Sequence, residues 1–168
     1  MTTVTAFTDQ GKLDMMRGRY DFAAANVNWK AMLIKNAAAR TYNRTTTDVT
    51  DITQATTDEA ALGGGGTGDY ATGGTTLTCV DASLNGTGTG VQAITDFNNV
   101  TFTLAGGTTP TLSAEGMAIF EDSITTPTAD PIVSVHQFAT TPTASGIGAT
   151  FTIQFPAPAT GTAIIRLA

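Results

Sequence analysis

Apolar residues fall on every second position in two stretches of this chain, Val100-Thr101-Phe102-Thr103-Leu104 and Phe151-Thr152-Ile153-Gln154-Phe155. A period of two places apolar side chains on one face of an extended backbone and polar ones on the other. A helix cannot bury such a pattern, so both stretches predict half-buried strands, over 100–104 and 149–155. Further strands are predicted over 28–35, 75–80, 91–94, 116–121, 131–138 and 162–167. Turn-forming residues separate them: Asn85-Gly86, Ala105-Gly106-Gly107, Thr126-Pro127, Thr141-Pro142 and Pro156-Ala157-Pro158. Short strands at near-regular spacing predict an all-β fold. The expected form is an antiparallel β-sandwich of jelly-roll or immunoglobulin-like type, with a β-barrel as the alternative.

Composition points the same way. Charged residues make up 13% of the chain, about half the usual globular share of roughly 25%. Threonine and glycine take their place. Threonine suits a pleated surface through its branched Cβ, and glycine supplies turns. With 168 residues, the chain fits a single domain that needs no covalent staple. Residues 11–168 are read as that domain. Residues 1–10 are read as an extended N-terminal arm that orders only on contact. Thr8 or Asp9 is expected to cap a short helix running to Arg17, with Leu13 and Met16 spaced to touch one surface and Gly18 stopping it. In the 28–35 strand, Trp29, Ala31 and Leu33 face one way, and Met32 and Ile34 the other. A strand apolar on both faces is covered on both sides, by a second sheet and by the helix or a neighbour. Residues 36–68 read as a long, weakly structured loop, and loops of that length usually carry function or move.

Net charge is −6, which argues against nucleic-acid binding as the main role. The basic residues are unevenly placed. Lys12, Arg17, Arg19, Lys30, Lys35, Arg40 and Arg44 precede position 45, and only Arg166 follows it. Eleven of the fourteen acids lie in that later part. Such polarity lets copies attract head to tail, or lets the N-terminal part dock on an acidic partner. No apolar run is long enough to span a membrane; Ala31-Met32-Leu33-Ile34 is far too short.

Few residues suggest chemistry. The one cysteine, Cys79, lies in a predicted strand and reads as a buried small hydrophobe. The one histidine, His136, shares a strand face with Ser134, but no Gly-x-Ser-x-Gly elbow accompanies them. Gly63-Gly64-Gly65-Gly66-Thr67-Gly68 lacks the following Lys-Ser/Thr of a phosphate loop. Calcium could draw on Asp48, Asp51, Asp58 and Glu59, or on Glu121, Asp122 and Asp130, although no Asp-x-Asp-x-Asp-Gly loop is present. The expectation is no enzyme activity, no cofactor and no resident metal.

One run of features has a familiar order. A helix over Lys12–Arg19 leads to Tyr20-Asp21-Phe22 and the strand Trp29-Lys30-Ala31-Met32-Leu33-Ile34. An Asp/Thr-rich loop follows, then Gly68-Asp69-Tyr70-Ala71-Thr72-Gly73-Gly74-Thr75-Thr76-Leu77. Later come Val100-Thr101-Phe102, Gly116-Met117-Ala118-Ile119-Phe120 and Phe151-Thr152-Ile153-Gln154-Phe155-Pro156. Over most of residues 11–167 this resembles a family of small tailed-bacteriophage virion structural proteins, in which a Gly-Tyr-x-x-Gly-Gly-x-x-Leu segment recurs between two strands. Here Asp69 stands between the first glycine and the tyrosine. The resemblance implies a virion component made in the bacterial host cytoplasm, with a capsid decoration or cement protein as the leading reading. Its implied partners are the major capsid protein and sister copies of itself, with a trimer as the preferred unit and neither nucleic acid nor membrane. A tail or neck ring component and a host-glycan-binding module are the alternatives.

Two sets of residues carry these expectations. Phe7, Trp29 and Tyr42, with Arg40 and Arg44, are the candidate contacts with neighbouring copies, since aromatic and arginine side chains dominate interface energetics. Tyr70, Gly73 and Gly74 form the candidate structural turn. The glycines would let the backbone take positive φ, and the tyrosine hydroxyl would seek a backbone partner.

Overall fold

The computed structural model describes residues 5–23, 25–35, 41–53, 58–85, 92–126, 128–156 and 165–167. In chain order the elements are β1 (Ala6–Phe7), α1 (Asp9–Met16), β2 (Trp29–Ile34), α2 (Thr50–Thr53), β3 (Thr67–Gly68), β4 (Thr75–Thr76), β5 (Cys79–Asn85), β6 (Gln92–Phe97), β7 (Val100–Ala105), β8 (Thr111–Ser113), β9 (Gly116–Glu121), β10 (Ile132–Gln137), β11 (Thr143–Ser145), β12 (Thr150–Ile153) and β13 (Ile165–Leu167). The fold is all-β and its strand pairs are antiparallel. One five-stranded sheet runs β1-β10-β9-β2-β4. The remaining strands form three smaller sheets, β12-β7-β3, β13-β6-β5 and β11-β8.

The five-stranded sheet is apolar on both sides, and its side chains divide by alternation along each strand, offset by one residue at a bulge in β10. Trp29, Ala31, Leu33, Met117, Ile119 and Val133 face a large core that also takes in Phe97, Phe102, Leu112, Phe151 and Ile165 from the smaller sheets. Met32, Ile34, Ala118, Phe120, Ile132 and Val135 face the other way, where Tyr42 and Ile52 cover them. Strands covered on both faces lose the hydrophobic-polar alternation of a half-wet sheet. That is why Gly116–Glu121 is buried along its whole length.

The covering layer on the second face is residues 41–53, part of the stretch expected to be a loose loop. It is tied to the sheet by its backbone: Ile132 N–H donates to Thr47 O at 3.0 Å and Val49 N–H to Asp130 O at 3.3 Å. The later part of the same stretch is also bonded in, through Lys35 N–H to Asp58 O at 3.0 Å and Ala60 N–H to Leu33 O at 2.8 Å. The glycine run packs backbone to backbone. Gly64 has φ +65° and lies so close to Thr109 O that a Cβ there would sit 1.9 Å from it.

Residues 5–10 are likewise part of the fold, contrary to the arm expected from their polarity. Ala6 and Phe7 pair with Val135 and Ser134 at the edge of the sheet. Thr8 is fully buried and caps α1, its Oγ1 accepting from Gly11 N–H at 2.8 Å. The helix ends as expected, with Gly18 at φ +64° and its N–H donating to Met15 O at 3.0 Å. The docking face is not the expected one. Leu13 and Met16 are exposed, and Gly11 and Asp14 are buried. Val133 is the extra residue of a bulge in β10, and its carbonyl accepts from Thr8 N–H at 2.9 Å. A Cβ on Gly11 would lie 2.6 Å from that carbonyl, so glycine is what lets the helix lie this close.

One predicted strand is divided. The stretch 75–80 is β4 in the five-stranded sheet and the start of β5 in another. The crossing is fixed where Leu77 N–H donates to Trp29 O at 2.7 Å. Gly86, Val91, Pro127, Ala157, Pro158 and residues 162–164 of the predicted strands and turns lie outside the described residues.

Candidate interaction surface

Two of the three aromatic contact candidates are core residues. Trp29 is fully buried and stacks on Phe22 with ring centroids 5.0 Å apart. Its indole N–H donates to Asp21 O at 2.7 Å. Tyr42 is also buried, with its hydroxyl 2.7 Å from Asp58 Oδ2 and 3.2 Å from Asp51 O. Both are spent inside the chain, so neither can anchor a neighbour. Phe7 is half-buried against the large core. Arg44 is exposed and reaches Asp9 Oδ2 at 3.1 Å. That pair, with Asp9 N–H donating to Arg44 O at 2.8 Å, ties the start of α1 to the covering segment. Arg40 lies outside the described residues.

The tyrosine-glycine segment forms a closed polar corner. Tyr70 is buried, its ring edge-on to Phe102 at 5.2 Å. Its hydroxyl accepts from Leu33 N–H at 3.1 Å and donates to Glu59 Oε1 at 2.8 Å. The same carboxylate oxygen accepts from Gly73 N–H at 2.7 Å and Gly74 N–H at 3.2 Å. Both glycines have positive φ, +97° and +85°, which aims their amides back at Glu59. Burial, reinforced by the Glu59 charge, raises the phenol's pKa far above its usual value, so it stays a donor. Glu59 is the member of this corner that sequence reasoning missed, having weighed it only as a calcium ligand. Asp69 is used separately, its Oδ2 accepting from Thr103 N–H at 2.9 Å.

The structure does bring His136 and Ser134 together, with Nε2 2.9 Å from Oγ. Ser134 is buried at 1% exposure, opposite Ile119 and Phe7 in the sheet. A nucleophile must be reachable, and this hydroxyl is not. Burial also lowers the His136 pKa to about 4, below the range that suits a general base near neutral pH. The pair is a hydrogen bond within the sheet. Of the acids weighed for calcium, Asp51 is engaged by Thr47 N–H at 2.7 Å, Asp58 by Tyr42, Glu59 by Tyr70, and Glu121 by Ser123 Oγ at 2.7 Å. Among the described residues no three metal-ligating side chains gather in one place.

The surface itself carries apolar groups. Leu13, Met16, Val27, Leu84 and Ile147 are exposed, Met16 at 87% and Ile147 at 70%. A cavity of about 260 Å³ opens where α1 and the segment after it meet the β13-β6-β5 sheet. Met15, Tyr20 and Phe22 form one wall, and Ala93, Ile94 and Ile165 the other. Ile147 stands between two glycines in the turn joining β11 to β12. An apolar residue bracketed by glycines was legible in the sequence as an oddity, since turn tips are ordinarily polar.

Fold and surface together define an all-β scaffold that leaves several large apolar side chains facing outward. Compared with known proteins, the chain matches no family model, no curated protein and no solved structure.

Proposed function

We propose that this chain is a non-enzymatic structural component of a phage virion, a capsid decoration or cement protein present in many copies on the head. The observation that carries the reading is the exposure of Met16, Leu84 and Ile147 on a charge-poor, threonine-rich scaffold. Covering those large apolar side chains in an assembly removes them from water, which is favourable. Each contact is modest; repetition over a shell multiplies it. The partners are then the major capsid protein and sister copies, in a trimer placed on threefold sites of the shell. The order of features quoted above, from the helix through the Tyr70 corner to the Phe151 strand, supports the same reading.

A reconstruction of the particle that carries this chain tests it. The expected result is density for the chain on the outer head surface, at a copy number set by icosahedral symmetry. Density confined to a tail or neck ring, or no density on the particle, overturns the head assignment.

A further inference from the structure

We propose that two copies of this chain pair edge to edge through β12, with Thr150 of one lying against Thr152 of the other in an antiparallel ladder. This deepens the repeated-copy reading and rests on it: in a shell of trimers, a two-fold contact of this kind joins neighbouring units.

β12 is the outer strand of the β12-β7-β3 sheet, and among the described residues no strand pairs with its far side. The direction of its backbone groups follows from the ladder with β7. Leu104 N–H donates to Ala149 O at 2.8 Å. Bonded pairs alternate along an antiparallel ladder, so Phe102 with Phe151 and Val100 with Ile153 are the next ones. Thr103 with Thr150 and Thr101 with Thr152 are the unbonded pairs between them, in which side chains stand closer together. The Thr101 and Thr152 hydroxyls are accordingly 2.9 Å apart. The N–H and C=O groups of Thr150 and Thr152 therefore point away from β7, toward the open side. Both residues are exposed.

An edge of this kind is a template for another strand unless charge, proline, a bulge or brevity blunts it. The other sheet edges are blunted. β1, β3, β4, β8 and β11 run for two or three residues. β5 carries Asp81 and a register shift, and β13 carries Arg166. β12 is Thr150-Phe151-Thr152-Ile153, with no charge, no proline and an unbroken register.

Charge favours a second copy as the occupant. A two-fold contact sets a surface against itself, so every charge on it meets its like. Copies with a net charge of −6 approach best where acids are missing. Residues 131–168 hold no acid and one arginine, and the neighbouring strand β7 holds no charge. The period of two fits as well. About a two-fold axis normal to the sheet, the threonines of both copies fall on one face, and Phe151 and Ile153 of both fall on the other.

Sedimentation velocity on the full chain over a concentration series tests this. Thr152→Pro removes an N–H that β7 does not use, a change the fold tolerates at an edge. The wild-type chain is expected to self-associate, and Thr152→Pro to do so more weakly by about tenfold or more. Thr150→Lys with Thr152→Lys, and Thr150→Glu with Thr152→Glu, each set like charges opposite one another across the contact. Neither double variant should associate alone, and an equimolar mixture of the two should pair. Thr103→Lys, on the same face but one strand inward, should leave association unchanged. In the wild type, amide exchange over residues 150–153 should slow as concentration rises, a readout that needs no variant. Circular dichroism matching the wild type establishes that the variants are folded. A wild-type chain monomeric throughout the series, association unaffected by Thr152→Pro, a mixture that fails to pair, or exchange over 150–153 independent of concentration overturns the contact. Each of those results leaves the virion reading standing, since that depends on the particle map.

Discussion

The Tyr70 hydroxyl links three parts of the chain that are distant in sequence, taking the Leu33 amide and giving its own proton to Glu59. Tyr70→Phe keeps the ring against Phe102 and removes only that oxygen. The Leu33 amide is then left buried without its partner, a loss of about 1–3 kcal/mol. Denaturant unfolding should show a lower midpoint with an unchanged slope. His136 carries a different signature. Its imidazole is ordinary near 6.5 when unfolded and held near 4 in the fold. Between those values the unfolded state binds more protons, so stability falls as pH drops from 6.5 to 4. The full effect is at most about 3 kcal/mol, present above pH 6.5 and lost by pH 4. His136→Gln should remove this component, so the difference between the two stability-pH curves should be confined to that window. A difference that persists unchanged from pH 4 to 7 would show that titration of the ring is not its source. The polarity of Tyr70 was readable from sequence, because a tyrosine beside paired glycines marks a corner. Its acceptor was not, since Glu59 lies eleven residues away across a segment with no period of its own.

Helix α1 shows how an element's bounds can be legible while its orientation is not. Thr8 and Gly18 delimit it through local chemistry, an accepting hydroxyl at one end and a left-handed residue at the other. Its face follows from packing. Leu13 and Met16 have the spacing of a buried stripe, yet the helix docks through Gly11 and Asp14. Asp14 is neutralised in place by Arg19 Nη1 at 2.9 Å, with Gln10 Nε2 at 2.6 Å. Gly11→Val should therefore lift α1 from the β10 bulge at a cost of about 1–3 kcal/mol. Hydrogen exchange should speed up across residues 9–16 before other elements respond. Met16→Ser, on the exposed face, should stay within about 0.5 kcal/mol of wild type. If the two substitutions cost the same, the docking face is misassigned. The division of 75–80 between two sheets has the same origin. Both halves have strand-forming residues, and only the neighbours available to each, β2 and β6, determine which sheet it joins.

For the whole molecule the large core is the unifying feature, because it takes side chains from the five-stranded sheet and from each of the smaller ones. None of the two- or three-stranded sheets has enough apolar area to persist alone. Unfolding should therefore be a single cooperative event. The sole tryptophan, Trp29, is at the centre of that core, so its fluorescence and far-ultraviolet circular dichroism should give coincident transitions. Separate midpoints would show that part of the layer opposite Trp29 melts independently. Local chemistry by itself determined the all-β class, the helix bounds, the two faces of β2 and the glycine corner, because alternation, caps and positive-φ turns depend on residues within a few positions of one another. Tertiary structure decided that residues 41–53 form a layer, that Trp29 and Tyr42 are interior, and that Met16 and Ile147 are exterior. Those outcomes depend on which distant surfaces compete for the same apolar side chains, a competition between segments far apart in the chain that local spacing does not encode.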